Sequence, residues 1–370
     1  MQDKKKFVMV VQGEGRGHMT QAITLYDLLI SKGHEVPAVL VGTSANREIP
    51  KFFYDKIKTK IVKIQSPNFV TDKSSKSIRI GPTVVHNIMN MGIFKKSFAL
   101  IRETLEEHKP DVVINFYDLL IGLYYKLNKP SVPLVCIAHQ YIYLHKDFMF
   151  PKGYLLDRYI IRNYTKLTSS RSVKNLALSF YYLPEEKRNN VTIVPPLLRN
   201  EIFELQPENK NFYLAYLVNH GYFEDIVKWH KINPEFEIHC FADRVKELEK
   251  FDFDKNKLFI HELNDKLFIE KMAAATGLIS TAGFESVCEA MYLNKPVLMV
   301  PVKGHFEQFC NSRDGHYAGA GVYDSDFNID KLVNYISSSS RHERENNTAY
   351  KIWVDKAKER IYNELVSVTA

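Results

Sequence analysis

Two runs of alternating strand and helix, a Pro-Pro pair between them and a glycine loop after the first strand predict an α/β protein of two Rossmann-like domains. A chain of 370 residues can hold two such domains, each burying its own core. Residues 7–11 (Phe-Val-Met-Val-Val) are continuously apolar, as a strand buried on both faces should be. Gly13, Gly15 and Gly17 follow, then a helix over 20–32 with Ile23, Leu25, Tyr26, Leu28 and Leu29 on one face and Gly33 ending it. Residues 36–41 give the second strand; 111–114 and 134–138 give later ones, with a helix over 119–127 between them. The strand at 191–194 runs into Pro195-Pro196, which can continue neither a helix nor a central strand and marks a linker. The pattern then restarts, with strands at 212–218, 236–241, 258–261, 278–280 and 297–300. The end, 348–366, reads as one long amphipathic helix. The domains are placed at 1–195 and 196–345, with 346–370 packing back on the first.

Apolar residues make up 45% and charged residues 25%, the balance of a soluble globular chain. The net charge of +7 favours anionic partners such as nucleotide phosphates or an acidic membrane surface. No dense basic stripe interleaved with aromatics appears, which excludes a nucleic-acid partner. Cys136, Cys240, Cys288 and Cys310 lack metal-site spacing and read as buried, reduced thiols. Residues 1–11 are too short for a signal peptide, and no run of about 18 apolar residues exists to span a bilayer. A cytoplasmic protein is expected. The segment 80–98 mixes Met89, Met91, Ile93 and Phe94 with Lys95 and Lys96; it either docks peripherally at the inner face of a membrane or packs on the first core.

Gln12-Gly13-Glu14-Gly15-Arg16-Gly17-His18 lies between a strand and a helix, where glycines let the backbone approach a ligand and the helix start offers N–H groups. A dinucleotide fingerprint wants G-x-G-x-x-G and a later acid, but the second strand ends in Val41-Gly42-Thr43-Ser44. A P-loop wants Gly-Lys-Ser/Thr, which is absent. The remaining readings are a ligand-facing loop and a tight turn capped by histidine. In the second half, Ser280-Thr281-Ala282-Gly283 opens a helix that carries Ser286 and Glu289 three residues apart, on one face. Its start can meet a diphosphate, and Glu289 can accept ribose hydroxyls. Glu307 and Gln308 open a further helix and can hold sugar hydroxyls; ordinary capping with a solvated Glu289 is the alternative.

This ordered set resembles the donor motif of GT-B glycosyltransferases of the UDP-glucuronosyltransferase type and the type that makes the lipid-linked peptidoglycan disaccharide. There His/Ser-Gly-Gly is followed by Ser-x-x-Glu-Ala, Gly-x-Pro, Pro and Asp/Glu-Gln-x-x-Asn. The matching residues are Ala282-Gly283, Ser286 to Ala290, Lys295-Pro296, Pro301 and Glu307-Gln308 to Asn311. The glycine loop, Lys32-Gly33-His34-Glu35-Val36 and Pro195-Pro196-Leu197-Leu198-Arg199 resemble the same group, particularly its uncharacterised bacterial and archaeal branch. Ala282 replaces a family glycine, and Asn294-Lys295 replaces the usual Gly before Pro296.

The resemblance implies two Rossmann-like domains facing across a cleft (GT-B) and transfer of a hexosyl or N-acetylhexosaminyl group from a nucleotide-diphosphate sugar, UDP-linked, to a lipid-linked or small-molecule acceptor. It implies inversion, because retaining relatives carry a Glu where Thr281 stands. It implies no metal and no cofactor; the D-x-D matches at 252–254 and 324–326 read as surface loops. His18 matches the catalytic histidine of relatives. The aspartate that orients it in some of them is Asn115 here, and Asp118 is a substitute three residues on. Backbone N–H groups at Ala282-Gly283 and the turn Asn219-His220-Gly221 would hold the diphosphate. His139, at the end of a strand, reads either as facing the acceptor or as a buried or capping histidine. A nucleotide-sugar 2-epimerase on the same fold and a non-catalytic nucleotide-sugar sensor are the competing classes.

Overall fold

The computed structural model describes residues 3–45, 47–66, 70–71, 78–79, 91–217, 220–242, 245–338 and 341–369. The chain forms two compact units; the first is built from Met1–Val70, Arg79–Arg199 and Trp353–Ala370, and Asn200–Ile352 makes up the body of the second.

In the first unit, strands β1 (Lys6–Gln12), β2 (Glu35–Thr43) and β3 (Lys60–Gln65) are joined through helices α1 (Arg16–Ser31) and α2 (Lys51–Lys56). After β3 come two short strands that are not assigned whole to this unit, β4 (Val70–Thr71) and β5 (Ile78–Arg79), which pair with each other. Then come α3 (Met91–His108), β6 (Val112–Phe116), α4 (Leu119–Asn128), β7 (Leu134–Ala138), a 3₁₀ turn His139–Leu144, α5 (Leu155–Thr168), β8 (Lys174–Leu178) and β9 (Val191–Val194). The seven-stranded sheet has the order β3-β2-β1-β6-β7-β8-β9 and is parallel throughout. β1 sits inside it, with Val8 opposite Ala38 on one side and Val113 on the other. Helices cover both faces of such a sheet, which is why Phe7 to Val11 could be apolar without alternation; all five are buried.

The second unit repeats the plan. β10 (Phe212–Leu217), α6 (Phe223–Ile232), β11 (Glu237–Ala242), α7 (Val245–Leu248), β12 (Leu258–Glu262), α8 (Asp265–Ala274), β13 (Gly277–Ser280), α9 (Phe284–Tyr292), β14 (Val297–Met299), α10 (Phe306–Tyr317), β15 (Gly321–Tyr323) and α11 (Ile329–Ser338) follow in turn. The parallel sheet has the order β12-β11-β10-β13-β14-β15. Phe223, Ile226, Cys240, Leu298 and Leu332 are among the side chains of its core. At about 25 cal/mol per Å² of apolar surface, each fully buried Phe or Leu contributes roughly 2–3 kcal/mol.

The expected single terminal helix is two: α12 (Arg341–Asp355) and α13 (Ala357–Val366). Lys356 between them keeps φ −83° and ψ −4°, so the chain bends without leaving the right-handed region. Within the first unit α13 is tied down by Tyr362, whose hydroxyl lies 2.8 Å from His34 Nε2, and by Glu364, paired with Lys174 at 2.5 Å. The Lys5 amide donates to His34 Nδ1, so Nε2 carries the proton and donates to Tyr362. His34, singled out in the Lys-Gly-His-Glu-Val run, is therefore a structural clasp.

Of the segment 80–98, residues 80–90 lie outside the described residues. Its last part opens α3 and packs inward: Ser97 exchanges hydrogen bonds with the Gln65 backbone, and Phe98 meets the edge of Tyr124, while Lys95 and Lys96 stay exposed.

Candidate active site

The glycine loop is shorter than expected, because α1 begins at Arg16 rather than near residue 20. Gly15 is its N-cap, with no side-chain bond to the helix start, so Gly17 and His18 stand in the first turn. Gly13 has a steric reason to be glycine. Its amide donates to Gly42 O at 2.7 Å, and a Cβ there would lie 2.7–3.0 Å from Thr43, Val41 and Gly42. Gly15 differs: a Cβ there would meet nothing within 4 Å, so the loop opens outward at this point. Glu14 closes the loop on β2, its carboxylate accepting from the Ser44 amide at 2.6 Å.

His18 lies over the ring of Tyr117, centroids 5.7 Å apart. Although part of the side chain keeps some exposure, the atoms packed round the ring push its pKa down to about 4, against a smaller opposing hydrogen bond with Gln21. At neutral pH the imidazole is uncharged and can accept a proton. Tyr117 is held in turn: its hydroxyl pairs with Thr165 Oγ1 at 2.8 Å, and its ring meets Tyr141 and Tyr164. Tyr117 was not legible as a partner of His18; its one signal is the place it takes, φ +60° at the end of β6.

Asp118 and Asn115 build that turn. Asn115 Nδ2 donates to the carbonyls of Asp118 and Thr168, and its Oδ1 accepts from the Asp118 amide. Asp118 Oδ1 caps α4, accepting from Leu120 N at 2.8 Å and Ile121 N at 3.3 Å. The carboxyl packs against β2, where a Cβ on Gly42 would fall 1.9 Å from Oδ2. Burial pushes its pKa up to about 6, against the Ser66 hydroxyl and the two capping amides. Asn115 thus serves the backbone, and the described bonds of Asp118 serve a helix cap. His139 is buried; its Nδ1 donates to Leu178 O at 2.7 Å.

In the second unit, β13 ends in Ser280 and the chain turns through Thr281, Ala282 and Gly283 into α9. Ala282 holds φ +57°, a left-handed conformation that costs a non-glycine residue about 1–2 kcal/mol. That is the physical sense of glycine at the matching family position. No side chain caps α9, so its first N–H groups point out of the helix start. Ser286 Oγ donates to Gly283 O and lies 3.3 Å from Ser280 Oγ. Glu289 is fully buried, so it is not a solvated surface carboxylate; Thr281 is buried beside the turn.

Helix α10 starts behind His305, whose Nδ1 accepts from the Gln308 amide. Burial lowers the pKa of His305 to about 4, which keeps that acceptor available. Gln308 Oε1 accepts from Val302 N at 2.8 Å, and Asn311 Nδ2 donates to Ala282 O, joining α10 to the turn before α9. Glu307 stands beside Gln308 in the first turn, partly buried. The structure thus brings Ala282, Gly283, Ser286 and Asn311 together. Asn219 lies outside the described residues; His220 and Gly221 open a short 3₁₀ turn, His220–Tyr222, before α6. Among the described residues no three His, Cys, Asp or Glu side chains gather as a metal set, and Asp324 faces Lys331 at 3.3 Å. No helix among them is long and apolar enough to cross a membrane.

The chain is also similar to known proteins over most of its length. The chain is 26% identical over 341 residues to an uncharacterized glycosyltransferase of Methanosarcina acetivorans, covering 85% of this chain and 82% of that one. Its fold is similar to the glycotransferase of kitacinnamycin, with TM-score 0.69, 13% identity and 99% of each chain covered. It is also similar to Phytolacca americana UGT2 complexed with UDP-2fluoro-glucose and pterostilbene, with TM-score 0.66, 12% identity and 99% of each chain covered. A third neighbour is the spinosyn rhamnosyltransferase SpnG complexed with thymidine diphosphate, with TM-score 0.62, 13% identity and 98% and 99% covered. These likenesses make the architecture that of the GT-B glycosyltransferases, two parallel-sheet α/β units. The model of glycosyl transferase family 1 matches residues 5–339, and the chain belongs to that family as a glycosyltransferase.

Proposed function

We propose that the protein moves a hexosyl or N-acetylhexosaminyl group from a nucleotide-diphosphate sugar, UDP-linked, to a lipid-linked or small-molecule acceptor, with inversion and without a metal, as in the UDP-glucuronosyltransferase and peptidoglycan-disaccharide type. The observation that carries this reading is His18, neutral and in the first turn of α1 beside an open loop. Inverting displacement needs a base for the acceptor hydroxyl as the oxygen attacks the anomeric carbon and the diphosphate leaves. A neutral imidazole does this; one already protonated does not. Gly13, Gly15 and Gly17 shape the approach, and His139 closes the buried side. Asp118 acts on His18 through the turn that carries Tyr117.

The diphosphate is received by the uncapped start of α9 at Ala282-Gly283, where backbone N–H groups and the helix dipole favour an anion. Asn219, His220 and Gly221 add donors from the β10 turn. Ser286 meets the nucleoside, with Thr281 and Glu289 buried behind it to complete the nucleoside side, and Glu307 and Gln308 take the sugar hydroxyls. The complexes of the two neighbours with UDP-2fluoro-glucose and thymidine diphosphate favour a nucleotide donor. The same reading places the protein in the cytoplasm, in contact with an anionic membrane surface.

Calorimetric titration with UDP-, GDP- and TDP-sugars identifies the donor, and NMR of the product reads the anomeric outcome. Retention of configuration would sink the inverting mechanism. UDP-N-acetylglucosamine epimerised without acceptor would favour the epimerase, and tight donor binding with no turnover on any acceptor would favour the sensor.

A further inference from the structure

Helix α5 is unusual within the first unit. Among its 14 residues only Thr165 and Thr168 are buried, although it carries Leu155, Leu156, Tyr159, Ile160 and Ile161. Leu155 is 78% exposed, Leu156 69% and Tyr159 67%; Met149 and Tyr154 just before them are exposed as well. Five of the 14 exposed large apolar side chains among the described residues thus fall in the 11-residue stretch 149–159. Scattered exposure of this kind is ordinary; a contiguous cluster marks a surface that something covers.

The charges around the cluster say what covers it. Across 146–166 stand Lys146, Lys152, Arg158, Arg162 and Lys166 against Asp147 and Asp157. Leu155, Leu156 and Tyr159 lie on one side of α5, and Arg158, Arg162 and Lys166 follow at helical spacing beside them. Arg158 also sits over the Phe150 ring at 5.0 Å, which holds a cation at the edge of the apolar patch. Leucines and a tyrosine at the tip with a cationic border are what an anionic bilayer accepts: apolar groups below the headgroups, guanidinium and ammonium among the phosphates.

We infer that the exposed face of α5, with Met149 and Tyr154, docks the first unit on an anionic lipid bilayer, so that the acceptor is drawn from that surface. The far end of the helix supports this. Tyr164 and Thr165 hold Tyr117, and Tyr117 stacks on His18, so the proposed base is one ring away from α5. Tyr159 and Tyr164 are separated by about 7.5 Å along the axis. The inference rests on the transferase reading for what is drawn from the membrane, but not for the docking itself.

The test is co-sedimentation of the full chain with vesicles of phosphatidylglycerol and phosphatidylcholine, without donor or acceptor, beside vesicles of phosphatidylcholine alone. The full chain is expected to partition onto the anionic vesicles and to be released by salt. Arg158→Ala with Arg162→Ala should weaken partitioning by about 25-fold, at roughly fivefold per cation. Leu155→Glu with Leu156→Glu should weaken it by at least about tenfold while the melting temperature stays within a degree or two, since neither leucine is buried. Equal sedimentation with both vesicle types, or of both variants with the parent, would overturn the inference. So would a dimer in size-exclusion chromatography that the leucine variant dissociates, because the patch would then serve a second copy. Vesicle binding without any transfer to a lipid acceptor would leave the docking standing and remove the transferase reading of its purpose.

Discussion

The junctions β1–α1 and β13–α9 share one plan, a parallel strand running into an uncapped helix through a small-residue turn, but their strain is placed differently. At β1–α1, Gly13 is pinned because there is no room for a side chain, and the loop then opens at Gly15. At β13–α9, Ala282 holds a left-handed conformation that glycine would take more easily, and Asn311 and Ser286 tie the turn in place. The first junction carries a titratable imidazole in the opening turn. The second carries a carboxylate, Glu285, in its opening turn, beside backbone N–H groups and hydroxyls. On the proposed function the difference separates two tasks on one scaffold: proton transfer at the turn that opens at Gly15, and anion holding at the turn that Asn311 and Ser286 tie down.

Removing the imidazole gives the sharpest break. His18→Ala should cut turnover by about 10²–10⁴-fold with donor affinity unchanged, read by steady-state transfer rates beside calorimetry. A loss of donor affinity instead would mean that the two junctions do not divide the work. Next comes the pH dependence. His18 is held at about 4 rather than 6.5 in the folded chain, so its contribution is complete above about pH 6.5 and is lost as pH falls towards 4. Asp118 has the opposite sign: raised from 3.8 to about 6, it favours the folded state at low pH and loses that effect as pH rises from about 4 to 6. Denaturant titrations of the parent and of His18→Gln from pH 7 to 4 should therefore diverge by an amount on the order of 2–3 kcal/mol, the parent losing more.

Smaller effects separate the turns themselves. Gly13→Ala should destabilise by about 2 kcal/mol through the contacts with Val41 and Thr43, seen as a lowered melting temperature. Ala282→Gly should do the reverse, gaining roughly 0.5–1 kcal/mol as relief of the left-handed strain exceeds the added backbone entropy. If both substitutions destabilised equally, the contrast between a crowded and a strained turn would be lost.

Much of the scaffold was legible because a strand covered on both faces leaves an unbroken apolar run. Residues 134–138 and 191–194 became β7 and β9 with the bounds their composition suggested. β3 was not, since Lys60 and Lys63 interrupt it at the sheet edge, where one side needs no apolar partner. The start of α1 was misplaced because Gly17, a poor helix former, sits in its first turn. At the site, Gly13, His18 and Ala282 stood out as residue types that a strand-to-helix turn makes meaningful. Tyr117 did not, because its contact with His18 joins positions a hundred residues apart and follows no local period. The exposed face of α5 was invisible for the reverse reason: its leucines look like core until their surroundings are known.

The packing of Asp118 on Gly42 binds two distant positions into one inheritance. Nothing larger than hydrogen fits at 42 while a carboxyl caps α4, and trimming that carboxyl would strip the helix of its cap. In related chains the pair should change together or not at all, so a lineage that gained an alanine at 42 would carry a shorter side chain at 118 and a reset entry to the helix behind it.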